Sequence, residues 1–489
     1  MISTEGFCQP WRGERSNLNY RADKLSLISR LYVWSIVLEP LLIFIMFDAT
    51  TTGFTANLSK MLQLIVLAGL LLKLLNNSLS EGLDGIRLVN FSNSMFVNFR
   101  NYFALTVFAG LVGLMSGAYN LPFEYRITYT DVSGFSEFVN SSYVRPVIEY
   151  FILLYYFCYF VVLPKYLLNN NSKIEYFFSV FKKFFIVSFV LGVVDLGLSA
   201  NGINLIPRNL TGETWISGMR YHGLAGEPRD AFVYLFLGLA ILHLQAYYRG
   251  VRLSKWWIGA IILGAVATQS ASGLVGIVVF CGLYFFYSLR KISVRKIILL
   301  LTLYLAISLL VYVSIVSSER MLQYLEAASG IWDILESKSE LPYLMSLQMV
   351  NIYPVYDLTV KLRDSNFLPI LIGSGLGSTS VINNFIPGIE FNALANPHSQ
   401  IARIIYENGV VGTYLFVRVF THPVIVITKH LSSKVQYELI LLTLLLLGCI
   451  LGNRSSASFI YLGVLIAVFR VFDLDRSSRI NNVGRDRLS

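Results

Sequence analysis

The sequence predicts an all-α, polytopic integral membrane protein of about twelve transmembrane helices, with a large outer loop that carries short helices of its own. Three observations predict it. Hydrophobic residues make up 55% of the 489 residues and charged residues only 14%, with a mean hydropathy of +0.61; a soluble domain carries about 25% charged residues to clothe its surface. Apolar stretches close to the ~20 residues that cross a ~30 Å bilayer core recur along the chain. Lysine and arginine gather at alternate ends of those stretches, the pattern that marks the inner side of a membrane protein.

Twelve stretches qualify: 25–47, 58–75, 101–117, 147–168, 180–200, 230–248, 255–269, 271–289, 297–316, 402–428, 436–452 and 456–472. Together they make residues 1–489 a single transmembrane domain. The apolar block 255–289 is divided at TQSASG, 268–273, because one helix through it would run to ~50 Å, too long for a single crossing. The polar start, with Arg12, Arg15, Arg21 and Lys24, is followed by no cleavage site, so span one is its own insertion signal. With the N-terminus inside, the inside segments hold most of the Lys and Arg, including RKISVRK at 290–296, the Lys182–Lys183 pair, and Arg476, Arg479, Arg485 and Arg487. An even number of spans places both termini in the cytoplasm.

Three long segments then lie outside: 118–146, 201–229 with Arg220, and 317–401 between spans nine and ten. In the last, Leu322, Leu325, Ala328, Trp332 and Leu335 fall at helical spacing and predict an amphipathic helix at the membrane surface. A second helix is expected at about 342–352, before Pro354, followed by a turn through Pro369 and the run IGSGLGS at 372–378. No internal repeat is visible, which argues against a transporter built from inverted repeats.

The net charge of +10 is accounted for by this topology and by attraction to anionic lipid heads, so no nucleic-acid partner is implied. Cys8, Cys158, Cys281 and Cys449 make neither a metal-ligand spacing nor a disulfide framework. No P-loop, HExxH or GxSxG occurs, which argues against an ATP-driven pump, a zincin and an α/β-hydrolase. Asp473 and Asp475 imitate a metal-binding DxD but follow the last span on the inner side. No metal and no cofactor is expected.

The segment SGMRYHGLAGEPRD, 217–230, sets Arg220, His222, Glu227, Arg229 and Asp230 at the outer mouth of span six. Its glycines allow close backbone approach to a ligand, and an arginine fork grips phosphate through paired hydrogen bonds. The competing reading is a solvated loop with acids at a helix N-terminus. His398 stands just before span ten, either as a proton acceptor near neutral pH or as an interfacial residue beside a helix cap. Arg403 and Glu407 enter the same span, where unpaired charges are costly unless they pair with each other at i, i+4. Thr268, Gln269, Ser270 and Ser272 either line a polar cavity or make an ordinary turn. Glu39, Asp48, Lys60 and Asp195 are read as snorkelling or capping residues near span ends.

Several of these features resemble the superfamily of O-antigen polymerases and O-antigen ligases. They are the twelve spans, the large loop before the tenth, and TQSASG between two short spans. They also include R-x-x-G-x-x-x-E-P at 220–228, GSGLG at 373–377 and PHSQ…YENGVVG at 397–412. The resemblance implies a C-type membrane glycosyltransferase at the outer face of the bacterial inner membrane. Its substrates would be oligosaccharide repeat units carried on polyprenyl pyrophosphate, with a chain-length regulator and a flippase as partners. Arg220 matches the family arginine of the mid-chain loop, Glu227 the acid of its EP pair, and His398 the histidine closing the large loop. The family's arginine–ten residues–glycine spacing is absent, so the second arginine stays open between Arg363 and Arg403, with Arg320 behind them. The resemblance implies that Arg220, with Arg229, Ser270 and one of these arginines, binds the donor, while His398 or Glu227 serves as base. Polymerase is favoured over ligase by the long polar loop; a lipid-linked glycan flippase is the rival outside this class.

Overall fold

The computed structural model describes residues 26–41, 45–47, 56–81, 94–120, 143–203, 205–206, 220–226, 228–270, 352–386, 400–429, 431–449 and 456–486, together with 282, 298, 301–302, 305, 309, 312 and 349. These residues are helical throughout, apart from short turns and one small antiparallel ribbon, β1 (Ile45–Phe47) with β2 (Ala56–Asn57). The helices that matter below are α1 (Leu27–Leu38), α2 (Leu58–Glu81), α3 (Ser94–Met115), α4 (Val144–Tyr156), α5 (Pro164–Leu167), α6 (Asn171–Ser199), α7 (Pro228–Tyr248) and α8 (Lys255–Ala267). They continue as α9 (Tyr353–Arg363), α10 (Leu368–Ile372), α11 (Ser378–Ile382), α12 (Gln400–Thr428), α13 (Ser433–Cys449) and α14 (Ala457–Asp486).

Among the described residues, six helices are long and apolar enough to cross a membrane: Leu58–Asn76, Met95–Met115, Pro146–Leu167, Asn171–Ser199, Pro228–Tyr248 and Ala402–Thr428. Four shorter apolar helices, Leu27–Leu38, Lys255–Ala267, Val435–Leu447 and Ala457–Phe472, fall on four more of the expected spans. The expected spans 271–289 and 297–316, and the amphipathic helix around Leu322–Leu335, lie outside the described residues but for isolated positions.

Three local features differ from expectation, each for a backbone reason. Span one was expected to run to residue 47, but its helix ends at Leu38; Pro40 offers no N–H and disfavours a helical residue before it. The fourth span contains a π segment, Phe157–Val162, in which Leu163 N–H bonds the Cys158 carbonyl five residues back. Pro164 cannot donate to Phe160, and the wider turn absorbs the loss. Gly463 of α14 packs directly on the Phe160 carbonyl, where a side chain would collide with it. Pro354 and Pro369 each stand in the first turn of a helix, α9 and α10, where the missing N–H costs nothing; the helix expected at about 342–352 lies outside the described residues but for isolated positions.

Pair contacts fix the relative direction of the helices. Phe178 meets Tyr248 at 5.6 Å and Phe185 meets Tyr234 at 5.5 Å, so α6 and α7 are antiparallel. Tyr156–Phe459 and Tyr247–Phe469 contacts, both 5.7 Å, run α4, α7 and α14 in one direction. Phe96–Phe157 at 5.8 Å and the Tyr150–Thr106 hydrogen bond make α3 antiparallel to α4. Tyr102–Phe416 at 5.3 Å and the Arg403–Glu149 ion pair place the start of α12 beside the start of α4. Trp257 beside Phe185 and Gly264 beside Phe189 carry α8 along α6. One end of the bundle therefore gathers the ends of α3, α6 and α8 and the starts of α4, α7 and α12. Helix α7 is buried almost all round, as a helix apolar on every face should be.

Candidate functional site

Two polar clusters lie at that shared end. The first is built around the segment 220–226. Helix α6 presents Ser188, Gly192 and Asp195 on one face, at the i, i+4, i+7 spacing of a helical stripe. Ser188 Oγ accepts from Leu224 N–H at 3.4 Å. Gly192 lies against the Tyr221 ring and Gly223 Cα, at 2.6 and 2.9 Å from where its Cβ would stand. Asp195 is buried; its Oδ1 accepts from the Leu205 and Ile206 amides at 2.7 and 2.8 Å, and its Oδ2 lies 3.2 Å from His222 Nε2 on a bent approach. His222 Nδ1 stands 3.1 Å from the Gly223 carbonyl. Gly223 and Gly226 take φ of +52° and +88°, which permits the tight turn into α7.

On its other side the segment is stapled to the end of α8. Tyr221 N–H bonds the Ala267 carbonyl at 2.9 Å. Half-buried Arg220 donates through Nε to the Thr268 carbonyl at 3.0 Å and through one terminal nitrogen to the Gln269 carbonyl at 3.1 Å. A cation here complements the helix dipole and satisfies carbonyls that the helix leaves without partners. Gln269 adopts φ +47°, ending α8 in the left-handed region. Thr268 Oγ1 turns back to the Ala265 carbonyl and receives Ser270 N–H at 3.3 Å. Thr268, Gln269 and Ser270 thus make a turn, and the turn is what Arg220 grips. Burial holds the Tyr221 phenol protonated, well above its ordinary range.

The second cluster joins α3, α4, α12 and the glycine run. Arg403, Glu407 and Glu149 are all buried. Arg403 Nε bonds Glu407 Oε1 at 3.0 Å, the i, i+4 pair that spacing predicts, and a terminal nitrogen lies 3.2 Å from Glu149 Oε1. The same Glu407 oxygen accepts from Gly377 N–H at 2.8 Å and Thr379 Oγ1 at 2.6 Å. Helix α12 is interrupted at Gly409, with φ 61° and ψ −170°. The interruption diverts the Tyr406 and Glu407 carbonyls out of the helix, and they accept from Ser374 and Gly375 N–H, both at 2.9 Å. Gly373 packs against the backbone of Glu407 and Asn408 at a spacing no side chain would fit. Tyr119 donates to the Leu376 carbonyl at 2.9 Å, closing the run from the α3 side.

The predicted residues divide accordingly. Arg220 and Ser270 share the first cluster. Arg229, on the first turn of α7, stands 3.9 Å from Asp230. Arg403 belongs to the second cluster, with Nε on Glu407 and a terminal nitrogen beside Glu149. Arg363 ends α9 with its side chain 75% exposed, beside Asp364. Glu227 and His398 lie outside the described residues. Among the described residues no group of histidine, cysteine, aspartate and glutamate is arranged to hold a metal ion.

Sequence reasoning missed Glu149 as a partner and treated Asp195 as a span-end residue. A lone acid inside VIEYFILLYYF, and an acid seven residues beyond Ser188 on an apolar helix, were the signals available. It also placed Glu39 and Lys60 near span ends. They do stand at helix ends, Glu39 as the cap of α1 and Lys60 in the first turn of α2; the pair, 2.6 Å apart, lies level with Tyr155 and Tyr156, midway along the α4–α5 span, and Glu39 also accepts from Ser59 and Gln63. The cause is the early end of α1, which leaves Glu39 at the middle of the bundle.

The chain matches no protein-family model, no curated protein and no solved structure.

Proposed function

We propose that this protein is a membrane glycosyltransferase that polymerises oligosaccharide repeat units carried on polyprenyl pyrophosphate, working at the outer face of a bacterial inner membrane. One observation carries the reading. The segments that bear the resemblance are far apart in sequence yet pair off at one end of the bundle, 220–221 with 267–269 and 373–377 with 406–409. The opposite end carries Lys165, Lys173, Arg249 and Arg470, which supports an inward-facing assignment for it.

The reaction joins an acceptor hydroxyl oxygen to the donor's anomeric carbon. The bond from that carbon to the pyrophosphate oxygen breaks, the electron pair leaves with the polyprenyl pyrophosphate, and the hydroxyl proton passes to a base. Charge on the leaving group grows as the bond breaks, so a fixed guanidinium stabilises the transition state more than the ground state. Arg220 fills that role, held rigid by the turn it grips, with Arg229 close by in the chain. Arg403 organises the glycine run from inside and does not meet substrate. His398 and Glu227 are the two bases proposed, unranked. No metal and no nucleotide sugar enters the scheme.

A deletion strain tests the reading. A single repeat unit on the lipopolysaccharide core means polymerase, whereas core without O-antigen and an accumulation of lipid-linked polymer means ligase. A flippase is the second reading, favoured by the Glu39–Lys60 pair at mid-depth, since polar groups in the middle of a bundle mark transport paths. A flippase forms no glycosidic bond in detergent; the proposed enzyme does.

A further inference from the structure

We infer that Asp195 and His222 are a positioning pair for Arg220, acting through the segment 220–226; the inference rests on the polymerase reading for its kinetic part only. Asp195 holds both ends of the loop that carries Arg220. One carboxylate oxygen takes the amides of Leu205 and Ile206 where the chain leaves α6, and the other faces His222 where the chain returns. Residues 206 and 222 are thereby drawn to one buried carboxylate. His222 is two residues from Arg220, and Tyr221 between them is fixed to the Ala267 carbonyl.

The guanidinium reaches the Thr268 and Gln269 carbonyls only if the backbone at 220–222 keeps this register. A slip of one residue would turn Arg220 away from α8 and put another side chain there. The Ser188–Gly192 stripe seats the segment, while Asp195 and His222 supply the polar contact that sets its position along α6. Neither touches the reacting atoms: both side chains are buried, at 2% and 0% exposure. Misplacement of a catalytic group by ~1 Å costs on the order of 100-fold in rate, so the pair governs turnover more than substrate affinity.

The test uses the purified full-length protein in detergent with a lipid-linked repeat unit. Asp195→Asn keeps the shape and removes the charge. His222→Gln leaves the Leu205 and Ile206 bonds untouched and serves if the aspartate variant folds poorly. Each should lower kcat about 10- to 100-fold with KM within about threefold. In an Arg220→Lys background either change should cost less than about twofold, because the residue it positions is already gone. Full additivity with Arg220→Lys would overturn the inference. A readout independent of activity is amide hydrogen exchange: both variants should speed exchange at Tyr221. Unchanged exchange there would also overturn it, leaving Asp195 as a cap for 205–206 alone. If the wild-type protein forms no polymer, the polymerase reading falls, and the exchange result still decides the positioning claim.

Discussion

Two arginines stand at the same end of this bundle in opposite circumstances. Arg403 is buried between two carboxylates, and its named contacts neutralise it. Arg220 is half-buried and rests on the backbone carbonyls that end α8. A guanidinium between two acids is a tie: it satisfies charges that would otherwise be stranded and holds three elements together. A guanidinium on a helix end is aimed: its position comes from the backbone, and it is only half-buried, where the proposed pyrophosphate would reach it. Two arginines that share an end of the bundle therefore do not share one job.

The largest effect should come from cutting the tie. Arg403→Ala leaves Glu149 and Glu407 buried without their cation and should destabilise by about 3–5 kcal/mol. Thermal unfolding in detergent measures this; a melting point within a degree or two of wild type would break the comparison on the Arg403 side. Next comes the glycine run that Glu407 fastens. Gly373→Ala forces a Cβ into the Glu407–Asn408 backbone at φ +87° and should cost about 3 kcal/mol or more from strain and overlap, read by the same method.

Arg220→Lys should separate activity from stability. Lysine supplies a point charge without the planar fork. The rate should fall on the order of 100-fold, by analogy with loss of one oxyanion-hole donor, while stability changes by no more than about 1 kcal/mol, the scale of a helix-terminus contact. Unfolding that fell as far as in Arg403→Ala would make Arg220 a second tie. Arg363→Ala gives the smallest effect: an exposed side chain at the end of α9 should alter stability within about 0.5 kcal/mol and leave the polymerisation rate unchanged. A large rate loss there would move the second donor-binding arginine back onto the outer loop.

Much of the helical scaffold was legible because span length and apolar content are local properties. The Arg403–Glu407 pair was legible for the same reason, since i, i+4 spacing is visible along one helix. Glu149 was not: its partner is more than 250 positions away, and only the antiparallel course of α3 and the return of α12 bring them together. The Asp195–His222 contact depends on a loop folding back across the Ser188–Gly192 stripe, which leaves no periodic trace. The end of span one was misplaced because an apolar run, LLIFIMF, follows Pro40 and reads as helix by composition, though the proline ends α1 before it. The interruption at Gly409 shows in sequence only as one glycine among several; what marks it is the pair of carbonyls that the glycine run comes to satisfy.

The activity proposed for the end of the bundle bearing Arg220 is the formation of glycosidic bonds. Its most direct test is to give the purified protein, in detergent without metal or nucleotide, a defined repeat unit on polyprenyl pyrophosphate and to resolve the products by size. A ladder spaced by one repeat unit is expected, with one polyprenyl pyrophosphate released per bond and both signals collapsing together in Arg220→Lys at an unchanged melting temperature. Intact substrate with no ladder from well-folded wild-type protein would contradict it, and a ladder undiminished in Arg220→Lys would remove Arg220 from the chemistry.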